Sequence, residues 1–177
     1  CTPSGKWLAA SSGPGSGEGS SLRIEADGML AGAIFCGIVS DDIKIKKFSI
    51  RYICDNKDLI RNCEDRLKYN IPFPNTMLRP EFDLIEEIYQ TNKSRNITAS
   101  YTWIKGHQDD LIEYDDLSLE ARLNINADLQ AKDWNNEYGR ILVDPSNELV
   151  PSNSAALFIN KSMVTSKYYD RLLNTYT

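Results

Sequence analysis

Helical and strand patterns alternate along most of this chain, and that alternation restricts its fold more than any other feature of the sequence. β-Branched and aromatic residues fill two runs, 48–54 and 97–105, which predicts two strands. Apolar residues recur at helical spacing and predict four helices, over residues 20–36, 57–67, 80–92 and 118–134. The order helix, strand, helix, helix, strand, helix predicts an α/β domain built of layers.

The two ends of the chain have weaker patterns. Residues 5–10 predict a short strand, and the Gly/Ser/Pro-rich stretch 11–21 predicts a loop. Beyond Gly139 we expect a loop, then a hairpin around Asn160-Lys161, then a short helix over 167–176. We therefore expect one domain over residues 1–140, followed by a C-terminal extension over residues 141–177.

Length and composition are those of an ordinary globular domain, since 41% of the 177 residues are hydrophobic and 25% are charged. The net charge of -5 is unusual for a protein that binds a polyanion, which normally requires a surplus of Lys and Arg. A bound divalent metal would reverse the sign of an acidic cluster locally. The acidic balance thus weakens a nucleic-acid function without excluding it.

The four cysteines lack paired CxxC spacing, which predicts reduced, mostly buried thiols instead of a zinc site or a disulfide framework. No apolar run approaches the roughly 20 residues that span a bilayer, and the first residues do not have the pattern of a signal peptide. We therefore expect an intracellular protein of the cytoplasm or nucleus, with no membrane partner.

Three acidic residues occupy positions that suit chemistry. Glu25 falls in the first turns of a predicted helix, Asp55 follows a predicted strand, and Asp128 lies near the middle of the last helix. Strand ends in open α/β sheets are common ligand sites. Each of the three also has an ordinary explanation as a solvated charge, and Asp55-Asn56 could instead cap the next helix. Both roles stay open for Asp55 on these grounds.

Four short segments together resemble the type 1 ribonuclease H domain, in the version attached to retroelement reverse transcriptases. In chain order they are Ser20-Ser21-Leu22-Arg23-Ile24-Glu25-Ala26, Tyr52-Ile53-Cys54-Asp55-Asn56, Trp103-Ile104-Lys105-Gly106-His107 and the N-x-x-A-D-x-x-A run that begins at Asn124. The order of the four is more specific than any single one. The resemblance covers roughly residues 5–135 and implies a ribonuclease H-like fold, with a mixed sheet flanked by helices.

The resemblance implies that Glu25, Asp55 and Asp128 are metal-binding carboxylates and that His107 is a mobile catalytic histidine beside them. Two Mg²⁺ ions about 4 Å apart, or Mn²⁺ in their place, would be the cofactors. The implied activity is hydrolysis of the RNA strand of RNA–DNA hybrids, with a reverse transcriptase domain upstream in the same polyprotein. His107 has an ordinary alternative as a turn residue after Gly106.

The sequence also departs from the family. In the family, the first strand carries a further Asp in a D-G-S/A setting. This chain has no such segment, so we expect the first strands upstream of Cys1. Residues 5–10 match the third strand best. Without the first strands the chain should be poorly stable and inactive by itself. A catalytically inactive structural or interaction module is therefore the alternative, and a related integrase or exonuclease is a third reading.

The remaining features have simpler interpretations. The acidic residues of the loop 109–116 are expected to be solvated. We expect the tryptophans to lie in the core, because each falls within a regular element: Trp7, Trp103 and Trp134. A single local basic group stands out, formed by Lys44, Lys46 and Lys47.

Overall fold

The computed structural model describes residues 1–13, 20–72, 76–138, 157–159 and 162–164. The helices are α1 (Ser21–Asp42), α2 (Lys57–Arg66), α3 (Phe82–Ser94) and α4 (Leu119–Tyr138). The strands are β1 (Phe48–Cys54), β2 (Ile97–Trp103), β3 (Leu157–Ile159) and β4 (Ser162–Val164). Helices and strands alternate over residues 21–138 as the sequence predicts, so the mixed α/β class is confirmed.

The sheet that organises this part of the chain is a parallel pair, β1 and β2. Phe48 lies opposite Ile97 and Cys54 opposite Trp103, so the two strands end side by side. Parallel strands need a long crossover, and α2 and α3 provide it here. Strands β3 and β4, in the predicted C-terminal extension, pair antiparallel in a sheet of their own. That second pair confirms the predicted hairpin strands.

The hydrophobic core covers one face of the parallel pair. Side chains alternate across a strand, so Tyr52 and Cys54 share a face, which packs against α1, α2 and α3. The buried cluster comprises Ala26, Met29, Leu30, Ala33, Tyr52, Cys54, Leu59, Ile60, Cys63, Leu84, Ile85 and Ile88. Arg51 points to the other face, where its guanidinium meets Glu120 of α4 at 2.7 Å. The sheet is thus flanked by helices.

Helix α1 begins where the sequence predicts and ends later. The Ser20 hydroxyl accepts a hydrogen bond from the Arg23 backbone N–H at 3.0 Å, which makes Ser20 the N-cap. The predicted end near Cys36 is wrong, because the helix continues to Asp42. Gly37 does not stop it: a Cβ there would lie 3.3 Å from Arg95, so the glycine makes room for that side chain. Arg95 in turn pairs with Asp41 in the last turn.

Helix α3 begins at Phe82, so Pro80 precedes the helix instead of occupying its first turn as predicted. Glu81 stands between them with φ 55°, a left-handed conformation that is uncommon outside glycine. Its carboxylate is 1% exposed and accepts hydrogen bonds from Arg23 at 2.9 Å and from the Ser20 hydroxyl at 3.0 Å. These buried contacts hold Glu81 in the position that starts α3 and tie it to the start of α1.

Two predictions about the periphery are wrong. Residues 5–10 form no strand, since no strand in the described part of the chain lies beside them to complete the hydrogen bonds. Trp7 and Trp103 are not core residues, being 46% and 47% exposed. Trp103 instead donates its indole N–H to the Asp55 backbone oxygen at 2.9 Å, at the open end of the sheet. Trp134 is half-buried.

The four cysteines are free and two of them are buried, whereas the sequence predicts mostly buried thiols. Burial raises the pKa of Cys63 to about 12, which keeps that thiol protonated. The predicted helix over 167–176 and most of the predicted extension lie outside the described residues. None of the helices that the structure describes combines the length and the apolar character needed to cross a bilayer.

Candidate metal centre

Glu25 and Asp55 come together at the carboxyl end of the parallel strands. Helix α1 places Glu25 in its second turn, and β1 ends directly before Asp55. One ligand atom from each of Glu25, Cys54 and Asp55 lies within 4.8 Å of the others. The two predicted carboxylates, 30 positions apart in the sequence, are therefore neighbours in the fold.

Two hydrogen bonds fix the Glu25 carboxylate. The Cys54 thiol donates to Oε2 at 2.8 Å, and the Asn56 side-chain amide donates to Oε1 at 3.3 Å. Burial, followed by the hydrogen bond to Glu25, raises the pKa of the Cys54 thiol. In the structure Cys54 is therefore a protonated thiol that donates to Glu25. The oxygen atoms of the carboxylates are the groups in this cluster that suit a metal.

The alternative role of Asp55 as a helix cap is wrong. The side chain of Asn56 accepts the hydrogen bond from the Leu59 backbone N–H at 3.1 Å and caps α2. Asp55 is left half-buried beside Glu25, with its backbone oxygen held by Trp103. The side chain of Asp55 is thus free to serve the cluster, and the interpretation of Asp55-Asn56 as capping residues holds for Asn56.

Asp128 lies on α4 within electrostatic reach of the pair. Asp128 is an exposed residue. Partial desolvation and then the negative charge of Asp55 raise its pKa, while His107 opposes the shift. Burial is also the main cause that raises the pKa of Glu25, with smaller contributions from Asp55 and Asp128. The structure therefore brings the three predicted carboxylates into one electrostatic group, although Asp128 is outside the 4.8 Å cluster.

His107 lies at the start of a turn and beside that group. Its backbone has φ 50° and its side chain is exposed and forms no capping hydrogen bond. The description as a turn residue is thus correct for its backbone, and its charge opposes the raised pKa of Asp128. The acidic residues of the 109–116 loop are exposed, as predicted. Asp109 alone among them contributes to the raised pKa of Asp128.

Three residues of the site were not predicted from the sequence: Cys54, Asn56 and Gly106. Cys54 and Asn56 flank Asp55, and their contacts with Glu25 depend on how α1 packs on the sheet. The sequence did offer a sign that Gly106 belongs to the site, because it precedes His107 in the Lys-Gly-His segment. A Cβ on Gly106 would lie 2.3 Å from Asp55 Oδ2 and 3.2 Å from its Cγ. The glycine therefore leaves the space that the Asp55 carboxylate occupies.

Replacing Gly106 with Ala should weaken divalent-metal binding by about 10–100-fold, because the new methyl group must push the Asp55 carboxylate out of position. Titration with Mn²⁺ followed by isothermal calorimetry measures the change. Gly28→Ala is the matched control, since a Cβ there meets nothing within 4 Å and should leave the metal affinity unchanged. If Gly106→Ala and the wild type bind Mn²⁺ with equal affinity, Asp55 is not a ligand of the metal.

No protein-family model matches this chain, and neither the curated proteins nor the solved structures contain a match to it. The resemblance to ribonuclease H therefore depends on the four sequence segments alone.

The donor set fits a hard divalent cation. Carboxylate oxygens are the ligands that Mg²⁺ and Mn²⁺ prefer, and the neighbouring carboxylates of Glu25 and Asp55 repel each other in the absence of a cation. The raised pKa values of Glu25 and Asp128 express burial together with repulsion from Asp55. Among the described residues, Glu25 and Asp55 are the clustered carboxylates that could hold the ion.

Proposed function

We propose that Glu25, Asp55 and Asp128 are metal-binding carboxylates of a ribonuclease H-like domain that hydrolyses the RNA strand of RNA–DNA hybrids. The observation that carries the proposal is the convergence of Glu25 and Asp55 at the carboxyl edge of the parallel sheet, with Asp128 coupled to both. Three of the four family-like segments supply these carboxylates, and the fourth supplies His107. The same resemblance favours a reverse transcriptase domain in the same polyprotein.

The chain's own residues have distinct tasks in this proposal. Bound Mg²⁺ would supply a polarised water and stabilise the leaving oxygen during phosphodiester hydrolysis. Asp55 and Glu25 would hold the cation, and the hydrogen bonds from Cys54 and Asn56 fix the Glu25 carboxylate at the end of β1. His107 is exposed on its turn, and in this proposal it exchanges a proton with the reacting phosphate or with water.

The activity can be tested on the product of the complete reading frame that contains this sequence. We expect it to cut the RNA strand of a labelled RNA–DNA hybrid with Mg²⁺ or Mn²⁺, and EDTA should abolish the cutting. Duplex DNA and single-stranded RNA are the matched substrates and should remain intact. Cleavage of duplex DNA at a comparable rate would favour an integrase- or exonuclease-like activity, and no cleavage of any substrate would refute the nuclease proposal.

A catalytically inactive module is the second candidate function. The observation that favours it is the hydrogen bonding of Glu25, whose two oxygens each already accept a hydrogen bond from the protein. A carboxylate satisfied in this way has less need of a cation. In that case the domain would retain the fold as a structural connector, and Mn²⁺ titration of the 177-residue chain would show no binding that depends on Asp55.

A further inference from the structure

A second site of opposite charge lies at the other end of the same sheet. An open cavity of about 450 Å³ is lined by lysines and amides from three separate segments. Lys46 and Lys47 come from the residues that lead into β1, Lys93 comes from the last turn of α3, and Thr98 lies at the start of β2. Because β1 and β2 each span seven residues, the cavity and the carboxylates are about 20 Å apart.

The lysines around this cavity, Lys46, Lys47 and Lys93, form no ion pair among the described residues, whereas most described arginines do. The Lys93 ammonium does lie 5.7 Å from the centre of the Tyr89 ring. None of the residues that line the cavity is acidic. The chain has a net charge of -5, but three ammonium groups around one cavity make the local electrostatic potential positive. A positive potential favours the binding of an anion.

Amide groups in the same cavity offer hydrogen bonds. Asn92 lines it while only 5% exposed, and its Oδ1 accepts a hydrogen bond from the Tyr52 hydroxyl at 2.9 Å. Its side chain also interacts with that of Tyr101, so Asn92 contacts the tyrosines of the core as well as lining the cavity. Asn96 adds a second amide at the rim.

We propose that this cavity, bounded by Lys46, Lys47, Lys93 and Asn92, binds a phosphate group. Three ammonium groups and an amide donor match the charge and the several acceptor oxygens of phosphate. The volume exceeds that of a lone phosphate and falls in the range of about 300–1,000 Å³ typical of small-molecule sites. A nucleotide or a nucleic-acid strand can therefore place its phosphate here, and so can free phosphate.

The proposal is tested by direct binding to the 177-residue chain with EDTA present, so that the carboxylates hold no metal. The probes are a short fluorescent single-stranded DNA, followed by anisotropy, and inorganic phosphate as its competitor. The variant Lys46→Gln/Lys47→Gln/Lys93→Gln should weaken the binding of phosphate-bearing probes at least about ten-fold. The variant Lys6→Gln/Lys68→Gln/Lys132→Gln removes the same charge elsewhere and should weaken it less than about two-fold.

A second pair of variants distinguishes binding in this cavity from non-specific attraction by the protein's positive charges. Thr98→Glu puts a carboxylate at the exposed edge of the cavity and should abolish binding. Ser100→Glu, on the same strand and face but away from the lining residues, should not. Circular dichroism checks that each variant is folded.

The competitor identifies the source of the phosphate. Inorganic phosphate that binds as tightly as the oligonucleotide would indicate a site for free phosphate, and a clear preference for the strand would indicate nucleic-acid backbone. Either result supports the phosphate site. Equal losses in the two triple-lysine variants, or no binding of either probe to the wild type, would overturn it. The site uses none of Glu25, Asp55 and Asp128, so its failure would leave the proposed nuclease function untouched.

Discussion

Replacing Arg23 with Met should lower the free energy of unfolding by about 3–5 kcal/mol, the cost of removing one partner from a buried ion pair. Arg23 is 1% exposed, and its guanidinium lies 2.9 Å from Glu81 and 3.0 Å from Asp83. Without Arg23, the Glu81 carboxylate would stay buried with no counter-charge. Urea unfolding followed by circular dichroism measures the loss.

Two further variants separate the buried pair from a general charge effect. Arg61→Met removes an exposed arginine that pairs with Asp58, and it should cost less than about 0.5 kcal/mol. Arg23→Met/Glu81→Gln removes both buried charges and should recover part of the lost stability, since the Gln amide oxygen can still accept from Ser20. If Arg23→Met and Arg61→Met have the same free energy of unfolding, the buried contact between Arg23 and Glu81 contributes little to stability.

The buried ion pair of Arg23 also helps to position Glu25 of the candidate metal centre. Arg23 and Glu25 belong to the same family-like segment, and Arg23 ties the first turn of α1 to the start of α3. Glu25, two residues further on, hydrogen-bonds at the end of β1. The ion pair therefore fixes the helix that carries the carboxylate, which gives the arginine in the S-x-R-x-E segment a structural role.

The elements were predictable from local pattern, and the charged core was not. The spacing of apolar residues gave the four helices of residues 21–138, and β-branched runs gave β1 and β2. A helical pattern assigns charged residues to the solvent side, so Arg23 and Arg66 were not expected to be buried. Their partners, Glu81 and Glu86, are 58 and 20 residues away. No spacing rule connects residues at such separations.

The candidate centre was predictable as a set of residues but not as a geometry. Asp55 could be placed at a strand end, yet only the fold shows that Asn56 supplies the helix cap and leaves Asp55 free. The hydrogen bond between Cys54 and Glu25 was equally hidden, because a strand residue's neighbours depend on the helix packed above it. Residues 5–10 show the converse: their composition favours a strand, but in the described part of the chain no partner strand lies beside them.

Replacing Asp55 with Asn should weaken Mn²⁺ binding to the 177-residue chain at least about 100-fold, since the change removes a charged ligand and keeps the shape of the side chain. Asp55 is the central group of the site, because one of its oxygens lies within 4.8 Å of a Glu25 oxygen and its charge raises the pKa of Asp128. Loss of the free Mn²⁺ signal in electron paramagnetic resonance measures binding without depending on catalysis. In the complete protein, hybrid cleavage should fall by a similar or larger factor.

Asp58→Asn provides the matched control. Asp58 lies three residues further on, in the first turn of α2, and its exposed carboxylate pairs with Arg61 at 2.9 Å. The substitution changes the net charge by the same amount, so a loss shared by both variants would be a general electrostatic effect. A loss confined to Asp55→Asn would instead locate the ion at the carboxyl edge of the sheet. If Asp55→Asn binds Mn²⁺ as the wild type does, the metal centre and the nuclease proposal built on it both fail.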